Sequence, residues 1–281
     1  MGKLKGLTIV VVGASGVLGR AFALAAAADG ASCVVAGRQD PELGLPYLYV
    51  DVTKPEAVEE FVAGLVQLGR RIDVAFNFTG THHPVMHLGQ ASVTELADDW
   101  HRVMTTNLNG AFLLTAGLAN IFVEQRHGHL VHLCSNASRL SLEGSHAYVA
   151  SKHGLEGLIK SAAAQLARFG VRVNGLAPGT VETPLNRHLL RDEQGRYSLR
   201  AASILAHTPT KRFATVDGVV ESAIALCLPQ RHLTGNLLFC DDGYAIEGHS
   251  WPEGTQAVYQ DSETLTALLD AHSQTEKKVC S

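Results

Sequence analysis

The sequence has no run of basic residues and few charged residues of either sign. Only 18% of its 281 residues are charged, and the formal net charge is −4. Nucleic acids and anionic membranes are recognised through clustered Lys and Arg, so neither is expected as a partner. The apolar fraction of 46% is enough to bury a substantial core and is inconsistent with a disordered chain.

A long hydrophobic run and a secretion signal are also missing. The longest uncharged stretch, residues 107–123, is shorter than a membrane span and contains Asn, Thr and Gly, which favours a helix buried in protein. The N-terminus passes from a short basic stretch directly into an apolar strand and a glycine turn, without a small-residue cleavage site. These features predict a cytoplasmic protein without a membrane segment.

Cysteines are few, odd in number and never close enough to form a Cys-x-x-Cys motif. The five positions are Cys33, Cys134, Cys227, Cys240 and Cys280. Three of them lie in apolar runs, so we expect buried free thiols in a reducing compartment, with Cys280 in a polar tail.

What the sequence does have is an alternation of short apolar runs with helical patterns. The runs predict seven strands, at residues 7–12, 32–37, 47–50, 73–78, 129–135, 171–177 and 236–241. Helices are expected over 16–30 and 54–68. The short, proline-containing stretch between Arg38 and Asp51 leaves no room for a crossover helix, so a loop or one short turn is expected before the third strand. Continuous apolar strands separated by helices indicate a parallel sheet covered on both faces.

Three glycines stand where the first strand meets the first helix. In "VVVGASGVLGRAF" they are Gly13, Gly16 and Gly19. Glycines at this point let the backbone approach a pyrophosphate, and the helix N-terminus adds amide donors and positive potential. The turn therefore predicts a dinucleotide site.

The end of the second strand indicates which dinucleotide is bound. An acidic residue there reads a ribose 2′-hydroxyl, whereas an arginine suits a 2′-phosphate. Arg38 occupies this place, and Asp40 lies slightly beyond it. Because a guanidinium holds a phosphate through paired donors, NADP(H) is favoured, with NAD(H) as an alternative.

A tyrosine and a lysine share one helix face later in the chain. Tyr148 and Lys152 are four residues apart, which places them side by side on a helix. This spacing alone is weak, but it gains weight from five further motifs in order. They are "GASGVLG", "DVT" at 51–53, "NFTG" at 77–80, "NGLAPGTVETP" and "CDDGY", with Asn107 in "WHRVMTTNLNG" and Ser135 thirteen residues before Tyr148.

With these motifs the chain resembles the short-chain dehydrogenase/reductase family from about residue 5 to 245. It departs from that family's main pattern in the glycine turn, where the middle glycine is Gly16 rather than residue 17, and at Phe78 and Thr79. The resemblance implies an α/β fold, with one Rossmann-like, doubly wound, seven-stranded parallel domain over 1–245. Residues 246–281 would form an extension on the surface or at a subunit interface, with one short helix near 262–271.

The resemblance also implies four catalytic roles. Tyr148 would be the general acid in ketone reduction and the general base in alcohol oxidation, and the nearby Lys152 ammonium would favour the phenolate. Lys152 would also bind the nicotinamide ribose, and Ser135 would donate to the substrate oxygen. Asn107 would hold a water that links Lys152 to solvent, while the hydride belongs to the cofactor.

The same matching of motifs implies a set of cofactor contacts. Besides Tyr148 and Lys152 they are Gly13, Ser15, Gly16, Val17, Leu18, Gly19, Arg38, Asp51, Val52, Asn77, Gly80, Pro178, Gly179, Thr180 and Thr183.

Residues 206–227 and 80–84 look like the fructuronate/D-mannonate oxidoreductases within that family, which suggests a polar keto acid or sugar substrate. Candidate substrate contacts are His82, His83, Asn136, Arg139, Glu143 and His146, of which Arg139 could pair with a carboxylate. The chain has 14 histidines, but adjacent histidines on a loop rarely converge on one ion, so no metal is expected.

Two other functions stay open. One is reduction of a 3-oxoacyl thioester or a hydrophobic ketone, against which the aromatic content of 6% argues mildly. The other is a dinucleotide-binding redox sensor without turnover. Members of the family commonly assemble through the helices around 100–125 and 148–169, so we expect a homotetramer or homodimer.

Overall fold

The computed structural model describes residues 2–81, 85–184, 186–228 and 232–246. Seven parallel strands form one sheet in the order β3-β2-β1-β4-β5-β6-β7. The chain order reverses between β1 and β4, and at such a point a crevice opens beyond the carboxyl ends of the strands. The strands are β1 (Thr8–Val12), β2 (Ser32–Gly37), β3 (Tyr47–Tyr49), β4 (Val74–Asn77), β5 (Gly128–Leu133), β6 (Val171–Pro178) and β7 (Leu237–Cys240).

Helices cover both faces of this sheet, as the sequence predicts. Alternate residues of β1 enter two separate cores: Val10 and Val12 pack with α2, α4 and α5, whereas Ile9 and Val11 pack with α1 and α8. The helices are α1 (Val17–Ala28), α2 (Pro55–Gln67), α3 (Val93–Met104), α4 (Gly110–Gln125), α5 (His146–Leu166), α6 (Arg187–Leu190), α7 (Leu199–Ala206) and α8 (Val216–Cys227).

The expected strands agree with the observed ones to within two residues at each end. No helix interrupts the stretch from Arg38 to Pro46, where two prolines and a short length favour a loop. Residues 247–281, with the helix expected near 262–271, lie outside the described residues, so the division into a domain and an extension remains a prediction.

One helical segment, Val93–Gln125, is long and apolar enough by length and composition to cross a membrane. The side chains of Leu114, Leu118 and Phe122 on this segment are fully buried against the sheet. Because the core of the protein accounts for its apolar face, we interpret it as a core helix.

The cysteines agree with the expectation of free thiols as far as the structure describes them. Cys33, Cys134 and Cys227 are buried and Cys240 is half-buried, and none of the four is in a disulfide. Burial raises the pKa of Cys33 to about 11 and that of Cys134 to about 12, so both are neutral thiols at pH 7.

Candidate active site

A cleft of about 770 Å³ lies at the carboxyl ends of the central strands. The turn after β1, the ends of β4, β5 and β6, the start of α5 and the segment that follows β6 all contribute to its wall. The sequence-predicted residues that line it are Ser15, Gly16, Val17, Leu18, Gly19, Gly80, Ser135, Asn136, Tyr148, Lys152, Pro178, Gly179, Thr180 and Thr183.

The glycine turn brings the start of α1 close to the end of β4. Gly13 has φ +85°, and a Cβ there would lie 2.9 Å from the backbone carbon of Phe78. A Cβ at Gly19 would lie 2.4 Å from the carbonyl oxygen of Gly13. Since amides in the first turn of a helix have no partner within it, the turn presents amide donors to the cleft, and its glycines let a ligand approach the backbone closely. This cradle fits the pyrophosphate of a dinucleotide.

Tyr148 and Lys152 stand together in the first two turns of α5. The Lys152 Nζ lies 5.6 Å from the centre of the Tyr148 ring and donates to the carbonyl oxygen of Leu133 at 2.7 Å. Ser135 follows β5, so the three side chains reach the same cleft from two adjacent elements. Its Oγ donates to Asn136 Oδ1 at 3.0 Å and accepts from the amide of Ala137 at 3.1 Å.

Asn107 lies behind the lysine on a π-helical turn, Thr105–Asn109, which joins α3 to α4. Its Oδ1 accepts from the amide of Thr81 at 2.7 Å, and its Nδ2 donates to the carbonyl of the same residue at 3.0 Å and to Ser151 Oγ at 3.2 Å. A Cβ at Gly80 would lie 3.6 Å from Asn107 Oδ1 and 3.9 Å from Lys152 Nζ. Asn107 therefore fixes the loop after β4 next to Lys152, and π turns of this kind are frequent at functional sites.

A buried histidine that the sequence analysis did not single out supports the same loop. His132 on β5 is fully buried, with Nδ1 3.2 Å from Asn77 Nδ2 and Nε2 3.0 Å from Thr115 Oγ1. Thr115 Oγ1 donates to Ala111, so it accepts from Nε2–H, and Nδ1 accepts from Asn77. Burial, together with the charge of Lys152, lowers the pKa of His132 to about 3 and keeps the ring neutral. Asn77 Oδ1 in turn accepts from the amide of Thr79 at 3.0 Å.

The residues expected at the adenosine end lie outside the lining of the cleft. Arg38 is exposed directly after β2, and Asp40 Oδ1 accepts from the amide of Glu42 at 2.8 Å. Burial raises the pKa of Asp51, but hydrogen bonds from Thr53 and the positive charges of Arg38 and Lys54 outweigh this and lower it overall. The side chain of Val52 packs in the core.

Of the candidate substrate contacts that the structure describes, one lines the cleft and the others lie outside its lining. Asn136 lines the cleft, whereas the Arg139 guanidinium lies 4.7 Å from the centre of the Phe239 ring and His146 is exposed at the start of α5. Glu143 Oε1 lies 3.6 Å from His87 Nδ1. His82 and His83 lie outside the described residues.

The wall of the cleft formed by the segment after β6 was not predicted from the sequence. A helix-favouring stretch, "LRAASILA", follows Ser198, whose side chain caps α7 and could have revealed that helix. The lining residues that were not predicted are Phe78, Thr81, Leu133, Cys134, Leu142, Val181, Pro184, Asn186, Leu189, Leu190, Arg200 and Ile204.

Within the part of the chain that the structure describes, no three His, Cys, Asp or Glu side chains gather in a way that could hold a metal ion. The expectation that the protein uses no metal remains a prediction.

Comparisons with known proteins give the site its context. A protein-family model described as enoyl-(acyl carrier protein) reductase matches residues 13–245. Momilactone A synthase of Oryza sativa subsp. japonica is 31% identical, over 89% of this chain and 93% of its own. The 2-dehydro-3-deoxy-D-gluconate 5-dehydrogenase of Bacillus subtilis is 29% identical, over 86% of this chain and 95% of its own.

A solved structure is similar over most of its length. The gluconate 5-dehydrogenase of Burkholderia cenocepacia, in complex with NADP and tartrate, has a TM-score of 0.76 and 28% identity, covering 86% of this chain and 96% of that one. The family match spans most of the chain and includes the glycine turn, Ser135, Tyr148 and Lys152. The chain therefore belongs to the short-chain dehydrogenase/reductase family, whose oxidoreductases act on alcohol and ketone groups.

Proposed function

We propose that this protein is an NADP(H)-dependent oxidoreductase that interconverts a ketone and a secondary alcohol, with Tyr148 as the acid and base. The observation that carries the proposal is the meeting of Ser135, Tyr148 and Lys152 in the cleft into which the first turn of α1 also points. The solved relative in complex with NADP supports the choice of cofactor.

The chain has groups suited to hold both ends of a dinucleotide. The first-turn amides of α1 would bind the pyrophosphate, and Arg38 would bind a 2′-phosphate through paired donors. Thr180 and Thr183, after the Pro178–Gly179 turn, would contact the nicotinamide side. When bound, the cofactor would supply or accept the hydride.

Proton transfer falls to Tyr148. Its hydroxyl would give a proton to the substrate oxygen in reduction and take it back in oxidation. The Lys152 ammonium lies 5.6 Å from the ring centre, and Asn107 would hold a water through which protons exchange with solvent. The Ser135 hydroxyl would turn from Asn136 to the substrate oxygen and stabilise the charge that develops there.

We propose a polar, sugar-derived or keto-acid substrate, because two of the similar proteins act on sugar acids by name. A second candidate is a 3-oxoacyl thioester or hydrophobic ketone. The aliphatic side chains of Leu142, Leu189, Leu190 and Ile204 in the cleft favour it, as does the description of the matching family model. A dinucleotide-binding sensor without turnover is the third.

Assembly and location are further parts of the proposal. Trp100 on α3 and Phe112 on α4 are 45% and 56% exposed, which supports a homotetramer or homodimer built on these helices. A reducing, cytoplasmic location agrees with the free buried cysteines.

A substrate screen tests the reaction class. Purified protein is incubated with NADPH or NADP⁺ and a panel of sugar acids, polyols, acyl thioesters and simple ketones, and absorbance is followed at the nicotinamide band. Turnover restricted to acyl thioesters would favour the second candidate. Cofactor binding without turnover of any compound would favour the sensor.

Substitution of Tyr148 by Phe tests the mechanism. Loss of the hydroxyl should lower kcat by about 10²- to 10⁴-fold, since a positioned acid or base contributes about that much. NADPH binding, measured by fluorescence titration, should stay within about twofold of the unmodified protein. Retained turnover would remove Tyr148 from the reaction.

A further inference from the structure

We propose that the substrate carries a carboxylate and that Arg200, on α7, binds it. The inference rests on the proposed function and deepens it, because it names the group by which the substrate is recognised.

The charge of the cleft favours an anionic substrate. Among the described residues that line it, Lys152 and Arg200 carry positive charge, and no Asp or Glu is present. Lys152 is already engaged, since its Nζ donates to Leu133 and lies beside the Tyr148 ring. Arg200 is therefore the cation available to a bound anion.

The neighbouring arginines show how unusual Arg200 is in its segment. Arg191 binds Glu182 through two bonds of 2.7 and 2.8 Å, and Arg187 approaches the same carboxylate at 3.4 Å. Arg196 pairs with Asp192 at 2.9 Å. Arg200 has no hydrogen bond or ion pair with any residue in the described ranges, although it is half-buried.

The helix that carries Arg200 is fixed against the wall of the cleft. Ser198 caps α7 through its Oγ and donates to the carbonyl of Leu189 at 2.7 Å, and its amide donates to Leu190 at 2.9 Å. Ala201 is fully buried. Arg200 and Ile204, four residues apart, share one face of this helix, and both line the cleft.

The chemistry of the group selects the ligand. A guanidinium offers a planar pair of donors that matches a carboxylate, and aliphatic surroundings strengthen such a bond by excluding water. Leu189, Leu190 and Ile204 provide those surroundings. A hydroxy or keto acid, with polar carbons at the reacting end and a carboxylate at Arg200, would give this guanidinium the partner that it lacks among the described residues.

Binding to the NADP⁺-loaded enzyme tests the assignment without turnover. Calorimetry compares gluconate with sorbitol, and tartrate with threitol, since each pair differs in carboxylate against hydroxymethyl. The acids should bind more tightly than the matched alcohols, and Arg200→Gln should weaken them by about 10- to 100-fold while leaving the alcohols unchanged. Arg196→Gln, which removes an exposed arginine of the same segment, is the control and should change neither the affinity for the acids nor that for the alcohols.

Three results would overturn the proposal. The first is equal affinity, or no measurable binding, for every acid and its matched alcohol. The second is an equal weakening of acid and alcohol binding by Arg200→Gln. The third is a loss of NADPH affinity in Arg200→Gln as large as the loss of acid affinity, which would assign Arg200 to the cofactor. Arg200→Lys, which keeps the charge, should retain part of the preference and shows that the effect is not a loss of folding. An enzyme that prefers acids through Arg200 but turns over no ketone would refute the proposed reaction and leave this assignment standing.

Discussion

Arg38 is the side chain on which the proposed preference for NADP(H) depends. It is exposed directly after β2, and its charge contributes to the lowered pKa of Asp51 on the loop after β3. The nearest acid along the chain, Asp40, is hydrogen-bonded to the amide of Glu42 and so caps its own loop. A cation therefore stands at this position, and a 2′-phosphate would find a partner there.

Replacement of Arg38 by Asp should reverse the preference. Loss of the guanidinium should weaken NADPH binding by about 10- to 100-fold, the usual worth of hydrogen bonds to a charged group, and the new carboxylate should strengthen NADH binding. Fluorescence titration with both cofactors measures the change. Arg38→Gln removes the cation without adding an acid, so it should lose NADPH affinity and gain none for NADH. If the ratio of NADPH affinity to NADH affinity were unchanged in both variants, Arg38 would not bind the 2′-phosphate.

At the scale of the element, two glycines of the β1–α1 turn differ in how much room each has for a side chain. A Cβ at Gly19 would lie 2.4 Å from the carbonyl oxygen of Gly13, a contact that only backbone movement can relieve. At Gly16, which caps α1 with φ −78°, the nearest atom would be 3.4 Å away.

Gly19→Ala should therefore push α1 away from the turn, whereas Gly16→Ala should fit. We expect Gly19→Ala to lose at least about 1–3 kcal/mol of unfolding free energy, as for other overpacked sites, and about tenfold or more in NADPH affinity. Gly16→Ala should stay within about 0.5 kcal/mol in stability, so any loss of affinity there would report a direct clash with the cofactor. Urea unfolding and NADPH titration of the two variants measure both effects. Equal stability of the two would contradict the close packing at Gly19.

The elements that the sequence predicts are those with a local signal. Apolar runs mark the seven strands, glycines mark the turn, and the spacing of Ser135, Tyr148 and Lys152 survives because it lies within β5, its loop and α5. The π turn that carries Asn107 has no such signal, because its contacts are with α5 and with residues far away in the sequence: Asn107 bonds to Thr81 and Ser151.

The positions of two arginine side chains near the cleft could not be predicted from the sequence either. Arg139 is close to Ser135 in the sequence, yet its guanidinium stacks on Phe239 of β7, which only the tertiary fold brings near. Arg200 reaches the cleft from a later part of the chain through a helix of eight residues, too short for a periodic pattern to stand out. Long-range contacts decide both positions.

At the scale of the whole molecule, two buried histidines connect folding to pH. His129 and His132, both on β5, are at most 1% exposed. Burial, together with the charge of Arg172 for His129 and of Lys152 for His132, lowers each pKa to about 3. His129 Nε2 lies 2.9 Å from Asn174 Nδ2, and its Nδ1 lies 3.1 Å from the carbonyl of Leu226, so this ring bridges β5 to β6 and α8. His132 bridges β5 to β4 and α4 through Asn77 and Thr115.

The sign of the effect follows from which state binds the proton. In the unfolded chain a histidine has a pKa near ~6.5, so below that pH the unfolded state takes up a proton that the folded state does not. The contribution of each ring to stability is complete above about pH 6.5 and is lost as pH falls toward about 3, at roughly 1.4 kcal/mol per pH unit. Between pH 7.5 and 5 each buried histidine should therefore lower the unfolding free energy by about 2 kcal/mol.

His132→Asn should remove one of these two contributions. The unfolding free energy of this variant at pH 7.5 should be about 1–3 kcal/mol lower than that of the unmodified protein, because Asn77 and Thr115 lose their partner. The decrease in its unfolding free energy from pH 7.5 to pH 5 should be about 2 kcal/mol smaller than in the unmodified protein. Urea unfolding at the two pH values measures both quantities. His101→Asn, at an exposed position near the end of α3, is the control and should keep the full pH dependence. If His132→Asn kept it too, the ring of His132 would have to take up its proton in the folded state, and the neutral bridge between Asn77 and Thr115 would be wrong.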